Sequence, residues 1–273
     1  MKTFGGVNFC AYFCREIAKY FYMISKAQQK LIRSMEQKKY RQREGLFVAE
    51  GPKVVGDLLQ AGFDSVMLFK EQGVMTWLEQ EGHHSVIPCS SEELRRVSFL
   101  QHPQGALAVF RLPQEEMLNI QPSKLILALD GVQDPGNLGT IIRIADWFGI
   151  ETVYCSTDTA DAWSPKVVQA SMGSIARVHI IYTDLMALTD EAQAAGIPIY
   201  GTLLDGEDIY SQPLTQSGII VMGNEGKGIS PALRERITHR LLIPDFRQGQ
   251  TADSLNVAIA TAITCSEFRR RKT

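Results

Sequence analysis

Short apolar runs punctuate the second half of the chain: Leu125 to Leu129, Thr152 to Cys155, Arg177 to Ile181, Pro198 to Gly201, Ile219 to Met222 and Arg240 to Ile243. Amphipathic helical patterns lie between most of them, and a last helical pattern runs from Ser254 to about Arg270. Strands this short and this apolar need both faces covered, and their alternation with helices implies a parallel sheet in an α/β fold. Ligands of such sheets collect at the carboxyl ends of the strands. The chemistry is therefore to be sought in the loops that directly follow the apolar runs.

The first half has a different rhythm. Residues 25–43 read as one basic helix, in which Lys26, Lys30, Arg33, Lys38, Lys39, Arg41 and Arg43 face only Glu36 and Glu44. Strands at Leu46 to Ala49, Ser65 to Phe69 and Gly105 to Arg111 alternate with helices through Val54, Leu58 and Leu59, around Trp77, and from a cap at Ser90. This small α/β module occupies residues 23–112, and Pro113, Pro122, Glu115 and Glu116 mark a linker over 113–123 before a second domain at 124–273. Residues 1–22 are rich in aromatic and apolar side chains, but Arg15, Glu16 and Lys19 interrupt them. That stretch is too charged to cross a bilayer and has no small-residue cleavage site. A dispensable extension or a misassigned start is the expectation.

Lys plus Arg number 28 against 30 Asp plus Glu, a formal net charge of −2, so no overall basic field is present. A polyanion would have to be met by a local patch. Cys10, Cys14, Cys89, Cys155 and Cys265 form no CxxC pair, and His83, His84, His102, His179 and His239 form no spaced set with them. No metal site and a reducing cytoplasmic setting are expected.

Three stretches place glycine or asparagine after an apolar run. In the first, Asp130 to Arg143, apolar Leu138, Ile141, Ile142 and Ala145 recur at helical spacing while Arg143 lies off that stripe. Its guanidinium would lean back over Gly139 toward the helix N-terminus, a good place for a phosphate. A surface arginine paired with Asp134 or Asp146 is an equal alternative. The second stretch, Gly223-Asn-Glu-Gly-Lys-Gly228, fails the Walker A test, having Val221 and Gly228 where glycine and a hydroxyl are required, and its glycines do not follow GxGxxG. The third runs from Leu241 through Ile243-Pro to Ser254-Leu-Asn-Val257; taken alone, Ser254 is an ordinary helix N-cap and Asn256 a first-turn polar residue.

In order and approximate spacing, Asn137-x-Gly-x-x-x-Arg143, then Gly223-Asn-Glu-Gly-x-Gly228, then Ile243-Pro with Ser254-Leu-Asn-Val257 resemble the three motifs of the SpoU (TrmH-type) RNA ribose 2′-O-methyltransferases of the SPOUT superfamily. The resemblance covers about residues 125–270. The first module is similar to the family's ribosomal-protein-like substrate-binding domain, with Phe47-Val-Ala-Glu-Gly51 at its start. It implies a C-terminal domain threaded as a trefoil knot, S-adenosyl-L-methionine held by backbone around Gly223, Gly228, Ile243 and Leu255 with Thr202 and Leu203 nearby, and a homodimer. By the same resemblance, Arg143, Asn137, Glu225, Ser254 and Asn256 hold the reacting ribose, and the basic helix and the Arg269 to Lys272 tail meet RNA, ribosomal more than transfer RNA. The loop from Asp245 to Asp253 is longer than the family's compact version and stays unassigned. A noncatalytic RNA-binding protein keeping the fold, and an α/β enzyme using a nucleotide, are the other readings.

Overall fold

The computed structural model describes residues 24–78, 86–114, 118–247 and 254–270, and the chain divides into two compact units, Met1–Leu112 and Pro113–Thr273. The stretch 1–22, most of the helix expected around Trp77, Glu115, Glu116, the loop 248–253 and residues 271–273 fall outside the described residues.

In the first unit the expected single basic helix is two. Helix α1 (Lys26–Ser34) opens on a reciprocal capping box between Ser25 and Gln28, and α2 (Lys38–Glu44) closes on Gly45 in the left-handed conformation. Between them the fully buried Met35 draws the chain inward, and tight turns form as Met35, Glu36 and Gln37 donate to Ile32, Arg33 and Ser34. The carbonyls thereby released from the helix ladder are taken by Arg41, whose Nη1 donates to the Met35 oxygen at 2.5 Å and the Glu36 oxygen at 2.9 Å. Arg41 is only 2% exposed. It is therefore a buried staple and not an RNA contact, a correction to the reading of that helix. Arg41→Ala is expected to cost about 2 kcal/mol, because two carbonyls lose a charged donor; an unchanged denaturation midpoint would refute this.

Strand β1 (Leu46–Glu50) is buried throughout, and Gly51, at φ +89, turns the chain into α3 (Pro52–Gln60), which starts on proline. Strands β2 (Ser65–Lys70) and β3 (Val86–Pro88), α4 (Ser91–Val97) and β4 (Ala106–Arg111) complete the unit. The sheet order is β1-β4-β2-β3, with β4 antiparallel to β1 and β2 and β3 parallel to β2. Strand β3 was not anticipated; three residues ending in proline carry no periodicity to read. At the end of β1, burial raises the pKa of Glu50, opposed by hydrogen bonds from the Ser98 hydroxyl and the Phe99 N–H and by the charge of Arg33.

The second unit begins with β5 (Leu125–Leu129), α5 (Pro135–Trp147), β6 (Thr152–Cys155), α6 (Pro165–Ala170), a short 3-10 turn at Ser174–Ala176, β7 (His179–Tyr182) and α7 (Leu185–Ala194). It continues with β8 (Ile199–Asp208), β9 (Gly218–Met222), α8 (Pro231–Arg234), β10 (His239–Leu242) and α9 (Val257–Arg270). Every pairing in this sheet is parallel, in the order β10-β8-β9-β5-β6-β7. After β5 the chain builds outward through β6 and β7, then crosses back to lay down β8, β9 and β10 on the other side. The order reverses between β5 and β9, which opens a crevice at their carboxyl ends. One face of the sheet is sealed by a core including Ile126, Tyr154, Leu188, Ile199, Ile219 and Leu233.

Two boundaries differ from expectation. Strand β8 runs on past Gly201, and its register with β10 jumps: Arg240 faces Gly201 while Leu241 faces Glu207. Residues 202–206 thus leave the ladder, a departure no apolar pattern announces because Leu204 and Asp205 point to solvent. The last helix starts at Val257, three residues later than expected.

Candidate active site

The three glycine- and asparagine-bearing stretches meet at the carboxyl ends of β5 and β9. After β5, Asp134 caps α5 by accepting from the Asn137 N–H at 2.8 Å. After β9, the loop folds on itself as Asn224 and Gly228 exchange backbone hydrogen bonds. The Asn224 side chain fixes that turn, its Oδ1 accepting from the N–H groups of Gly226 and Lys227 and its Nδ2 donating to the Gly131 oxygen at 2.6 Å. Asp130 adds a second tie by accepting from the Ser230 N–H at 2.7 Å. Sequence reasoning gave no role to Asn224 or Asp130; both lie in the stretches singled out, but only their spatial adjacency reveals the ties.

Glu225, at the tip of the turn, is thereby aimed at the start of α5. It accepts from the N–H groups of Gln133 and Asp134 at 3.2 Å and from Asn137 Nδ2 at 3.0 Å. Asn137 Oδ1 in turn accepts from Asn256 Nδ2 at 2.9 Å, and Asn256 Oδ1 accepts from the N–H groups of Ala258 and Ile259. An ionised carboxylate can only accept, so Glu225 sets the orientation of both amides down the line. Asn256, and not Ser254, is the N-cap of α9; Ser254 is exposed ahead of the helix. The first turns of α5 and α9 converge here, so two sets of exposed N–H groups face one place.

Partial burial disfavours the charged form of Glu225, yet the hydrogen bonds from Asn137 and from backbone N–H groups outweigh it, and its pKa lies below the ordinary glutamate value. A lowered carboxylate pKa contributes stability that is present above the unfolded-state value and is lost as pH falls through the folded-state value. Glu225→Gln is thus expected to be less stable than the parent at neutral pH, with the gap closing in acid below the ordinary carboxylate range. A gap independent of pH in denaturation experiments would refute this.

Arg143 is exposed on α5, two turns beyond Asn137. Among the described residues it makes no hydrogen bond or ion pair, since Asp146 binds Arg177 at 2.7 Å and Asp134 is engaged as the cap. The paired-surface alternative is thus not what the fold adopts. The open space expected over Gly139 is not there either: a Cβ on Gly139 would lie 2.4 Å from the Ala170 Cβ. Glycine is needed there so that α6 can pack against α5.

Of the positions expected to cradle a cofactor, Gly223 and Gly228 share the folded turn, and Ile243 directly follows β10. A Cβ on Gly223 would meet the Gly228 carbonyl carbon at 2.3 Å, so this glycine serves the turn itself; Gly228, at φ +69, has nothing within 4 Å of that position. Leu255 is 51% exposed beside Asn256. Thr202 and Leu203 lie inside β8 and not after it; Leu203 is buried in the core, and the Thr202 hydroxyl contacts the Met222 sulfur. Only their backbone, in the segment that leaves the ladder, is on offer to a ligand.

In the basic helices, Lys26, Lys30, Lys38, Lys39 and Arg43 are exposed. Lys39 and Arg43 lie against the Tyr40 ring, and Arg43 also pairs with Glu44. Arg33 is partly committed, donating to the Ser98 oxygen at 2.7 Å and covering the Phe99 ring. In the tail, Arg269 caps the end of α5 through the Phe148 and Gly149 oxygens, and Arg270 pairs with Glu267, so neither is a spare cation for RNA. Among the described residues no cluster could hold a metal ion, and no helix is long and apolar enough to cross a membrane.

Residues 124–266 match the SpoU rRNA Methylase family, a span that contains all three stretches and the bond line joining them. The chain belongs to the SpoU family. Its first unit matches, over residues 26–108, the MRM3-like substrate binding domain. One SpoU relative, the 23S rRNA (guanosine(2553)-2′-O)-methyltransferase RlmP of Bacillus subtilis, is 33% identical over 87% of this chain and 94% of its own. Among solved structures, a TrmH-family protein from Porphyromonas gingivalis is 44% identical with a TM-score of 0.81, covering 92% of this chain and 100% of its own. An AdoMet-bound rRNA methyltransferase from Sinorhizobium meliloti is 31% identical with a TM-score of 0.80, covering 91% and 97%.

Proposed function

We propose that this SpoU protein transfers the methyl group of S-adenosylmethionine to a ribose 2′-hydroxyl of RNA, with large-subunit ribosomal RNA as the substrate. The observation that carries the reading is the bond line Asn256 to Asn137 to Glu225, which joins the three stretches beside an Arg143 left unpaired among the described residues. The noncatalytic alternative has no use for such a line. The SpoU relatives named above as ribosomal RNA methyltransferases support the substrate class.

The residues present fit the cofactor. Turn backbone at Gly228 with open space, the backbone of 202–206 outside the ladder, and the exposed Leu255 offer hydrogen bonds and apolar contact without an acidic ribose ligand. When bound, S-adenosylmethionine supplies an activated methyl carbon, so the protein has to position a hydroxyl and manage its proton. A guanidinium stays protonated in proteins. Arg143 therefore acts as a donor, fixing a substrate phosphate and polarising the 2′-hydroxyl, while the phosphate oxygen or water shares the departing proton. Asn137, held by Glu225 and Asn256, keeps the start of the Arg143 helix in place.

The chain is further proposed to be knotted, homodimeric and cytoplasmic. Support for threading is that β10 ends at one edge of the sheet, whereas Asn256 is bonded to Asn137 at the start of α5. The exposure of Trp147 and Ile259 on α5 and α9 supports a second copy packed there. Mapping ribose methylation in the ribosomal RNA of a deletion strain tests the function: one site should lose its methyl group, and an unchanged map would overturn the reading.

A further inference from the structure

The lysines and arginines of the second unit are sorted by position. Toward the amino ends of the strands they are consumed: Lys124 pairs with Glu151 at 2.8 Å, Arg177 with Asp146 at 2.7 Å, and Arg269 holds the carbonyls at the end of α5. Along the flank, Arg234 and Arg240 share Asp205 and Arg236 pairs with Asp190. The cations that make no ion pair or hydrogen bond among the described residues are Arg143, Lys166, Lys227 and Arg247, and all four are exposed. Each lies toward the carboxyl ends of the strands: Lys166 in the first turn of the helix after β6, Lys227 in the turn after β9, and Arg247 after β10.

The carboxylates at the same edge are not matched to these cations. Asp130 accepts from the Ser230 N–H, Asp134 from the Asn137 N–H, Asp158 from the Ser156 hydroxyl, and Glu225 from the start of α5. Backbone and hydroxyl donors occupy the acids, which leaves the neighbouring positive charges for an outside anion. In a chain of net charge −2, that separation gives one edge the local basic patch a polyanion needs.

We propose that Lys166, Lys227 and Arg247 form a phosphate track that lays the RNA backbone across the carboxyl edge of the sheet, on either side of the nucleotide at Arg143. This rests on the functional reading above and extends it from a single ribose to the flanking strand. Cations aligned this way contact phosphates and carry no base readout, so they set affinity and register and leave sequence choice to other groups.

The test measures binding of a large-subunit ribosomal RNA transcript across a salt series for the full chain and for the combined variant Lys166→Gln, Lys227→Gln, Arg247→Gln. Each lost phosphate contact makes the slope of log affinity against log salt shallower by about 0.7 to 0.9, so the combined variant should lose about two units. Its KM for RNA should rise, with turnover at saturating RNA, affinity for S-adenosylmethionine and thermal midpoint retained. Lys124→Gln, the same charge change at the opposite edge, should keep the parental slope. A parental slope in the combined variant, or an equal change in Lys124→Gln, overturns the track while leaving the methyltransferase reading intact. Absence of methylation by the unaltered chain overturns that reading and the track with it.

Discussion

Arg143→Ala is expected to slow ribose methylation by about 100- to 1,000-fold, the usual consequence of removing one charged donor from a reacting centre. S-adenosylmethionine affinity should be unchanged, because Arg143 is exposed and separate from the Gly223 to Gly228 turn. Stability should also hold, since the side chain makes no hydrogen bond or ion pair among the described residues; surface changes of this kind move stability by about 0.5 kcal/mol or less. Arg143→Lys keeps the charge and loses the planar fork, so it should recover only part of the rate. Single-turnover methyl transfer separates the cases, and full activity in the lysine variant would show that planar recognition is not needed.

Gly223→Ala should be the most damaging small substitution in the turn. Its Cβ would lie 2.3 Å from both the Gly228 carbonyl carbon and the Ile229 nitrogen. Those are backbone atoms in a turn closed by paired hydrogen bonds, so no side chain can swing aside. A loss of about 1 to 3 kcal/mol is expected, together with cofactor affinity, because the turn must open and Glu225 then leaves the start of α5. Gly226→Ala is the matched control: the nearest atom to its Cβ is Asn224 Oδ1 at 3.8 Å, an ordinary contact. Calorimetric titration and thermal midpoints of the two variants should diverge; similar behaviour would refute the steric account.

The parallel sheet was legible because its strands are short and apolar, and most predicted runs fall within two residues of the observed β5 to β10. Where the reading missed, a tertiary contact had overruled a local pattern. The basic helix breaks because Met35 is drawn into the core and Arg41 follows to satisfy its carbonyl, although charge alone marks Arg41 as a surface residue. The start of α9 was placed at Ser254 on capping preference, while Asn256 takes the role because Asn137 holds its amide in the capping orientation. Gly139 was read as clearance for a side chain when its function is close helix packing. The order of the three stretches was visible in the chain; their union through Glu225 needed the fold.

That union makes positions 137, 225 and 256 a single inheritance. A donor-bearing group in place of the carboxylate would ask Asn137 to turn over, which would present the wrong end of its amide to Asn256 and uncap α9. Substitutions at these sites should therefore show strong epistasis, with a change at one position tolerated only alongside matching changes at the others.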